Sequence, residues 1–124
     1  ACHRIGNVGT DFGPALSEIG SKLAKPMLIE SIIEPNAGLS MGFETTQVTL
    51  KNGDIALGIA RSNTAEELVL AMPGGVANRY AKKEIAKTEK LRASLMPLGL
   101  SQMLSQQDLV DLVEYLFSLK APGK

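Results

Sequence analysis

The only cysteine and the only histidine of this chain stand side by side, as Cys2 and His3. Random placement would put them in that order roughly once in a hundred chains of this composition. A thiol and an imidazole can act as a nucleophilic pair, but adjacent residues rarely bring the two groups into hydrogen-bonding geometry, and catalytic pairs are normally distant in sequence. They can hold zinc, but zinc takes three or four ligands and the sequence has no second Cys or His. The remaining chemistry is the second half of C-x-x-C-H, in which thiols add to the vinyl groups of haem and the next residue delivers an imidazole to the iron. The first Cys of that signal would fall two residues before Ala1. The expectation is therefore a chain cut inside the motif; if Ala1 is the true start, one thioether replaces two. On residue types alone, a surface Cys-His dipeptide at a chain end competes with this reading.

An imidazole that binds a metal needs its other ring nitrogen held by an acceptor, often a backbone carbonyl. Gly13-Pro14, about ten residues downstream, can return the chain beneath His3 and offer the Pro14 carbonyl; an ordinary turn is the competing reading. A low-spin iron needs a sixth ligand, and with no second His the natural candidate is a thioether. The sequence has five: Met27, Met41, Met72, Met96 and Met103. Met27 falls in a predicted helix, Met41 in a Gly-rich loop, and Met103 just before the last helix, where it can be core. Met72 ends a predicted strand before Pro73 and is a rival. Met96 lies in Ser94-Leu95-Met96-Pro97-Leu98-Gly99-Leu100, a loop stiffened by Pro97 and turned at Gly99, which can hold a thioether over a haem face. Plain packing is the alternative for Met96 as well.

These residues must be positioned by the rest of a 124-residue chain, long enough for one compact domain, with 44% hydrophobic residues. Aromatic residues are 4% and Trp is absent, so the core is Leu, Ile, Val and Met, or is completed by something that is not protein. Thirteen basic and thirteen acidic residues balance, which argues against a nucleic-acid footprint. No apolar run approaches the roughly 20 residues of a membrane span, and no signal-peptide pattern is present. One cysteine allows no internal disulfide.

The first twenty residues, with Gly6, Gly9, Gly13, Gly20 and Pro14, read as an irregular wrapped segment. Leu28, Ile29, Ile32 and Ile33 at helical spacing, with Pro26 in the first turn and Pro35 as a stop, predict a helix over 26–34. From about Glu44 to Leu91 the pattern is β. Runs at 47–50 and 55–60 flank Asn52-Gly53, a strong hairpin signal, and further runs occupy 67–72, 76–80 and 85–91. Ser105 with Asp108 resembles a capping box. Leu109, Leu112, Val113, Leu116 and Leu119 then share one helical face, ended by Ala121-Pro122-Gly123. Lys82, Lys83, Glu84, Lys87 and Lys90 read as a solvated face, with docking to an acidic redox partner as a lesser reading.

Taken together the segments resemble a known family, the class I cytochrome c-type haem-binding domain found at the C-terminus of large secreted proteins of planctomycetes. The likeness rests on Ala1-Cys2-His3-Arg4-Ile5-Gly6, Gly13 to Gly20, Leu28 to Pro35, Gly42-Phe43-Glu44, Leu50 to Gly53, Ser94 to Leu100, and Leu109 to Leu119. It covers essentially the whole chain, β insertion included. The resemblance implies one covalent haem c at Cys2, His3 as proximal and Met96 as distal iron ligand, and the Pro14 carbonyl orienting His3. It also implies electrons received from a fused or separate dehydrogenase, and a periplasmic or extracellular location.

The expected fold is mainly α, cytochrome c-like helices around haem in a single domain over 1–124, with a small antiparallel β module at about 44–91 (α+β overall). The expected function is one-electron transfer, Fe(III) to Fe(II) and back, without a catalytic site. One alternative is a binding module built on an SH3-like barrel from Glu44 to Leu91, with Cys2-His3 incidental. Another is a small haem peroxidase, which would need an open iron position and a distal acid-base group.

Overall fold

The structure, a computed structural model, describes residues 2–122. Ala1 and Gly123, which figure in the attachment motif and in the predicted helix stop, lie outside the described residues. The expectation of a mainly α fold is corrected. Strands dominate the architecture: a two-stranded and a five-stranded antiparallel sheet stand beside three short α-helices, and only about 27% of the chain is helical. The β region is too long and too well paired to be a minor insert in a helical frame. It carries its own dry core, in which Val48 and Leu70 have no exposed surface.

The first segment is less irregular than its glycines suggest. β1 (Arg4–Ile5) and β2 (Val8–Gly9) form a tiny antiparallel ribbon turned at Gly6. The one-turn helix α1 (Ile19–Lys22) follows. Helix α2 (Lys25–Ile33) starts with Pro26 in its first turn, where a missing N–H costs nothing. It buries Leu28 and Ile32. Helix α3 (Gln106–Ser118) opens on the expected capping box: Ser105 Oγ accepts from Asp108 N at 3.0 Å, and Asp108 Oδ2 accepts from Ser105 N at 3.0 Å. Its Val113 and Leu116 complete one cluster with Leu28 and Ile32.

The large sheet comprises β3 (Thr45–Leu50), β4 (Ile55–Asn63), β5 (Glu67–Ala71), β6 (Ala77–Ala81) and β7 (Ile85–Leu91). Asn52-Gly53 makes the β3–β4 turn, with Gly53 at φ +97° and Asn52 Oδ1 accepting from Asp54 N. β3 to β6 form a meander. A 3₁₀ turn at Lys82–Glu84 then brings β7 back to pair with β3, giving the order β6-β5-β4-β3-β7. In β4 the register with β5 runs Ile59 to Ala71 and Ala60 to Leu70, then resumes at Ser62 to Val69, so Arg61 is an extra residue in a β-bulge. A third cluster, Phe12, Ile59 and Ala71 with Phe43, Leu95 and Cys2, joins the sheet to the first segment.

Candidate functional site

The segment carrying His3 is wound so that its imidazole has one allowed role. Gly13 N donates to the Cys2 carbonyl at 2.6 Å and Thr10 N to the His3 carbonyl at 3.1 Å, which closes a loop around residues 2–13. Pro14 O then sits 2.7 Å from His3 Nδ1. A carbonyl can only accept, so Nδ1 carries the proton, and in the neutral ring Nε2 keeps its lone pair. Among the described residues Nε2 has no hydrogen-bond partner. Gly13 is required beside the ring: a Cβ there would lie 2.9 Å from His3 Cε1 and 3.1 Å from Nδ1. Gly9, at φ +103°, is required for the same loop, since a Cβ would lie 2.1 Å from the His3 carbonyl oxygen.

Met96 is held from two other directions. The Ser94 hydroxyl accepts from Met96 N at 3.0 Å, and Asn36 Oδ1, just beyond α2, accepts from Ser94 N at 2.7 Å. Buried Thr45, at the start of β3, donates through Oγ1 to the Ala93 carbonyl at 2.7 Å. Gly99, at φ +83°, turns the chain into the 3₁₀ segment Leu100–Met103. The loop therefore bridges the helical cluster and the sheet.

Between these two segments lies a cavity of about 340 Å³. Cys2, His3, Pro14 and Met96 all line it. Leu28, Ile32 and Leu116 close it from the helices, and Phe12, Phe43 and Ile59 from the sheet side. The lining is overwhelmingly apolar: Ser31, Ser40 and Ser94 supply its hydroxyls, and among the described residues Cys2 and His3 are its only titratable side chains. Among the methionines only Met96 contributes. Met72 packs into the core of the sheet with Val48, Leu68 and Leu70, while Met27, Met41 and Met103 are exposed, Met41 at 93%.

An iron porphyrin asks three things of a chain: an apolar slot for a flat macrocycle, a nitrogen with an available lone pair, and a soft second donor. The residues present fit that group. The slot is apolar, Nε2 of His3 has its lone pair set by the Pro14 bond, and the Met96 thioether and the Cys2 thiol share the same lining. Zinc is poorly served, because no group of three or more His, Cys, Asp or Glu converges anywhere among the described residues.

Sequence reasoning passed over several residues that build this site. Phe12 and Ile59 line the cavity without any signal in their spacing, and Phe43 and Leu95, although they lie in segments that carry the family likeness, were not marked as lining residues. Asn36 and Thr45 support the Met96 loop, and nothing in their local sequence marks them. The dense glycines of the first segment were a legible signal, since two of them, Gly9 and Gly13, are places where backbone or ring passes within contact of the chain. Comparison with protein-family models and with curated proteins returned no match for this chain.

Proposed function

We propose that the chain is an electron carrier that holds one covalently attached haem c, with His3 and Met96 as axial ligands and Cys2 as an attachment point. The carrying observation is the bond from His3 Nδ1 to the Pro14 carbonyl, which leaves Nε2 as the lone-pair donor in a cavity shared with a single thioether. When bound, the haem supplies a one-electron Fe(III)/Fe(II) couple.

The chain's own residues would act in three ways. Pro14 fixes the tautomer and the plane of His3, so that the ring need not turn on a change of charge. Ser94, Asn36 and Thr45 hold the backbone of the Met96 loop in place, which keeps the thioether at a constant position. Leu28, Ile32, Leu116 and Phe43 exclude water and disfavour the more charged ferric state, raising the potential. Among the described residues the lining offers no acid-base group besides Cys2 and His3, which supports a carrier over a peroxidase. A dehydrogenase, fused or separate, fits as donor, and covalent attachment of haem c fits a periplasmic or extracellular setting. No helix of the described residues is long and apolar enough to cross a membrane.

The test is expression together with haem-attachment machinery, followed by reduced and oxidised absorption spectra and an intact mass. A Soret band, a mass increased by one haem and a reversible reduction are expected. A colourless protein of unmodified mass would overturn the proposal and return attention to the five-stranded sheet as a binding module.

A further inference from the structure

We infer that Arg61 is a positioning residue for His3, which makes the β module part of the machinery that orients the imidazole. For its consequence at iron this rests on the haem reading; for the geometry of His3 it does not. Arg61 is the extra residue of the β4 bulge, and bulges re-aim a side chain out of the regular alternation. Here the guanidinium reaches across to the first segment. Its Nη2 donates to the Phe12 carbonyl at 2.7 Å and to the Asp11 carbonyl at 3.2 Å. The carboxylate of Asp11 is 4.0 Å away, and the ring of Phe43 lies 5.9 Å from the guanidinium carbon. Only about a third of the side chain is exposed, at 32%.

The anchored carbonyls stand directly before the residues that hold the ring. Phe12, 3% exposed, is followed by Gly13, against which the imidazole packs, and by Pro14, whose carbonyl takes the Nδ1 proton. Only Gly13 thus separates the shorter Arg61 contact, at Phe12, from the acceptor at Pro14. The β module touches the same segment a second time, where Gly75 in the β5–β6 turn abuts Thr10; a Cβ at Gly75 would lie 2.8 Å from Thr10 Cγ2. Without Arg61 the Asp11–Pro14 stretch keeps the Gly13 N bond to the Cys2 carbonyl but loses the two charge-assisted bonds at Asp11 and Phe12 just before Gly13, which lets the Pro14 carbonyl shift against the ring. A planar guanidinium can serve two neighbouring carbonyls in one fixed geometry, and a lysine ammonium cannot do so equally well.

His3 is the only histidine in the sequence, so its ring resonances in a nitrogen-15-labelled protein assign themselves, with or without haem. Long-range proton–nitrogen correlation reads the tautomer directly. The wild-type protein should be the Nδ1–H form. In Arg61→Ala the ratio of Nδ1–H to Nε2–H should fall, by up to about tenfold where the bond from His3 to the Pro14 carbonyl is lost outright, the change expected for roughly one hydrogen bond. Arg61→Lys should fall between the two, and Asp11→Asn should match wild type, because the bonds go to backbone carbonyls. If Arg61→Ala does not fold, Arg61→Lys carries the same measurement. Folded variants at Arg61 that keep the wild-type tautomer ratio would overturn the inference. In haem-loaded protein the Arg61→Ala variant should show a shifted potential and a shifted proximal-ligand vibration, and unchanged values of both would overturn the consequence at iron. A wild-type protein that takes up no haem would sink the electron-transfer reading alone, leaving the tautomer result to stand or fall by itself.

Discussion

Two methionines that look alike in composition have opposite surroundings. Met96 lines the cavity beside His3, whereas Met72 is packed among Val48, Leu68 and Leu70 and its sulfur lies close to Gly58. Substituting each by alanine in haem-loaded protein should separate ligand from filler. Met96→Ala should abolish the low-spin spectrum and lower the potential, since a thioether favours Fe(II). Met72→Ala should leave the spectrum unchanged and cost about 2 kcal/mol of stability through the void it leaves, measured by denaturant unfolding. The reverse pattern would move the ligand into the sheet. Gly13→Ala tests the proximal side: its methyl group would press on the imidazole. The expected results are about 1–3 kcal/mol of destabilisation from overpacking and poor haem incorporation at equal expression, read from the ratio of Soret to protein absorbance. At this scale the sequence was informative where a residue type is rare, as with Cys2 and His3. It was silent where a residue works through contacts with a distant backbone, as Asn36 and Arg61 do.

Among the elements, the helices lean on contacts that local pattern does not advertise. α1 is a single turn with no side-chain cap, and it persists because α3 grips it. Gly20 N donates to Leu119 O at 2.7 Å, Lys120 Nζ donates to Gly20 O at 2.8 Å, and the Lys120 ammonium sits 3.4 Å from the centre of the Phe117 ring. A Cβ on Gly20 would fall 2.1 Å from the Phe117 carbonyl oxygen, so Gly20→Ala should force the helices apart and cost about 2–3 kcal/mol, visible as a lowered denaturation midpoint. Ser105→Ala, which removes one half of the capping box, should cost only about 1 kcal/mol by the same measurement and leave the cavity unaltered. Elements with strong local signals were readable in advance: the hairpin at Asn52-Gly53, the strand at 85–91 and the capped last helix. The ribbon of β1 and β2 was not, because two-residue strands carry no periodicity and its glycines read as punctuation.

For the molecule as a whole, the balance between the two kinds of structure was misjudged, although most of the strands were in view. The runs between Glu44 and Leu91 were visible, but the likeness to a helical haem domain ranked them as an insert. In fact they hold a separate core, and their Ile59 lines the cavity and packs with Phe12 and Ala71. The helical cluster of Leu28, Ile32, Val113 and Leu116 stands on the other side. The two cores should differ in protection. Before haem is attached, amides in α2 and α3 should exchange with deuterium faster than those of Val48 and Leu70; attachment should slow the helical set and scarcely alter the sheet. Equal protection in both sets before attachment would contradict this division. The N-terminal stretch is tied to partners far along the chain: Phe12 to Arg61, Gly20 to Leu119, Ser21 to Ala121. Because these bonds close loops of 49 to 100 residues, the anchorage of the segment that follows His3 can form only once Arg61, Leu119 and Ala121 have all been made.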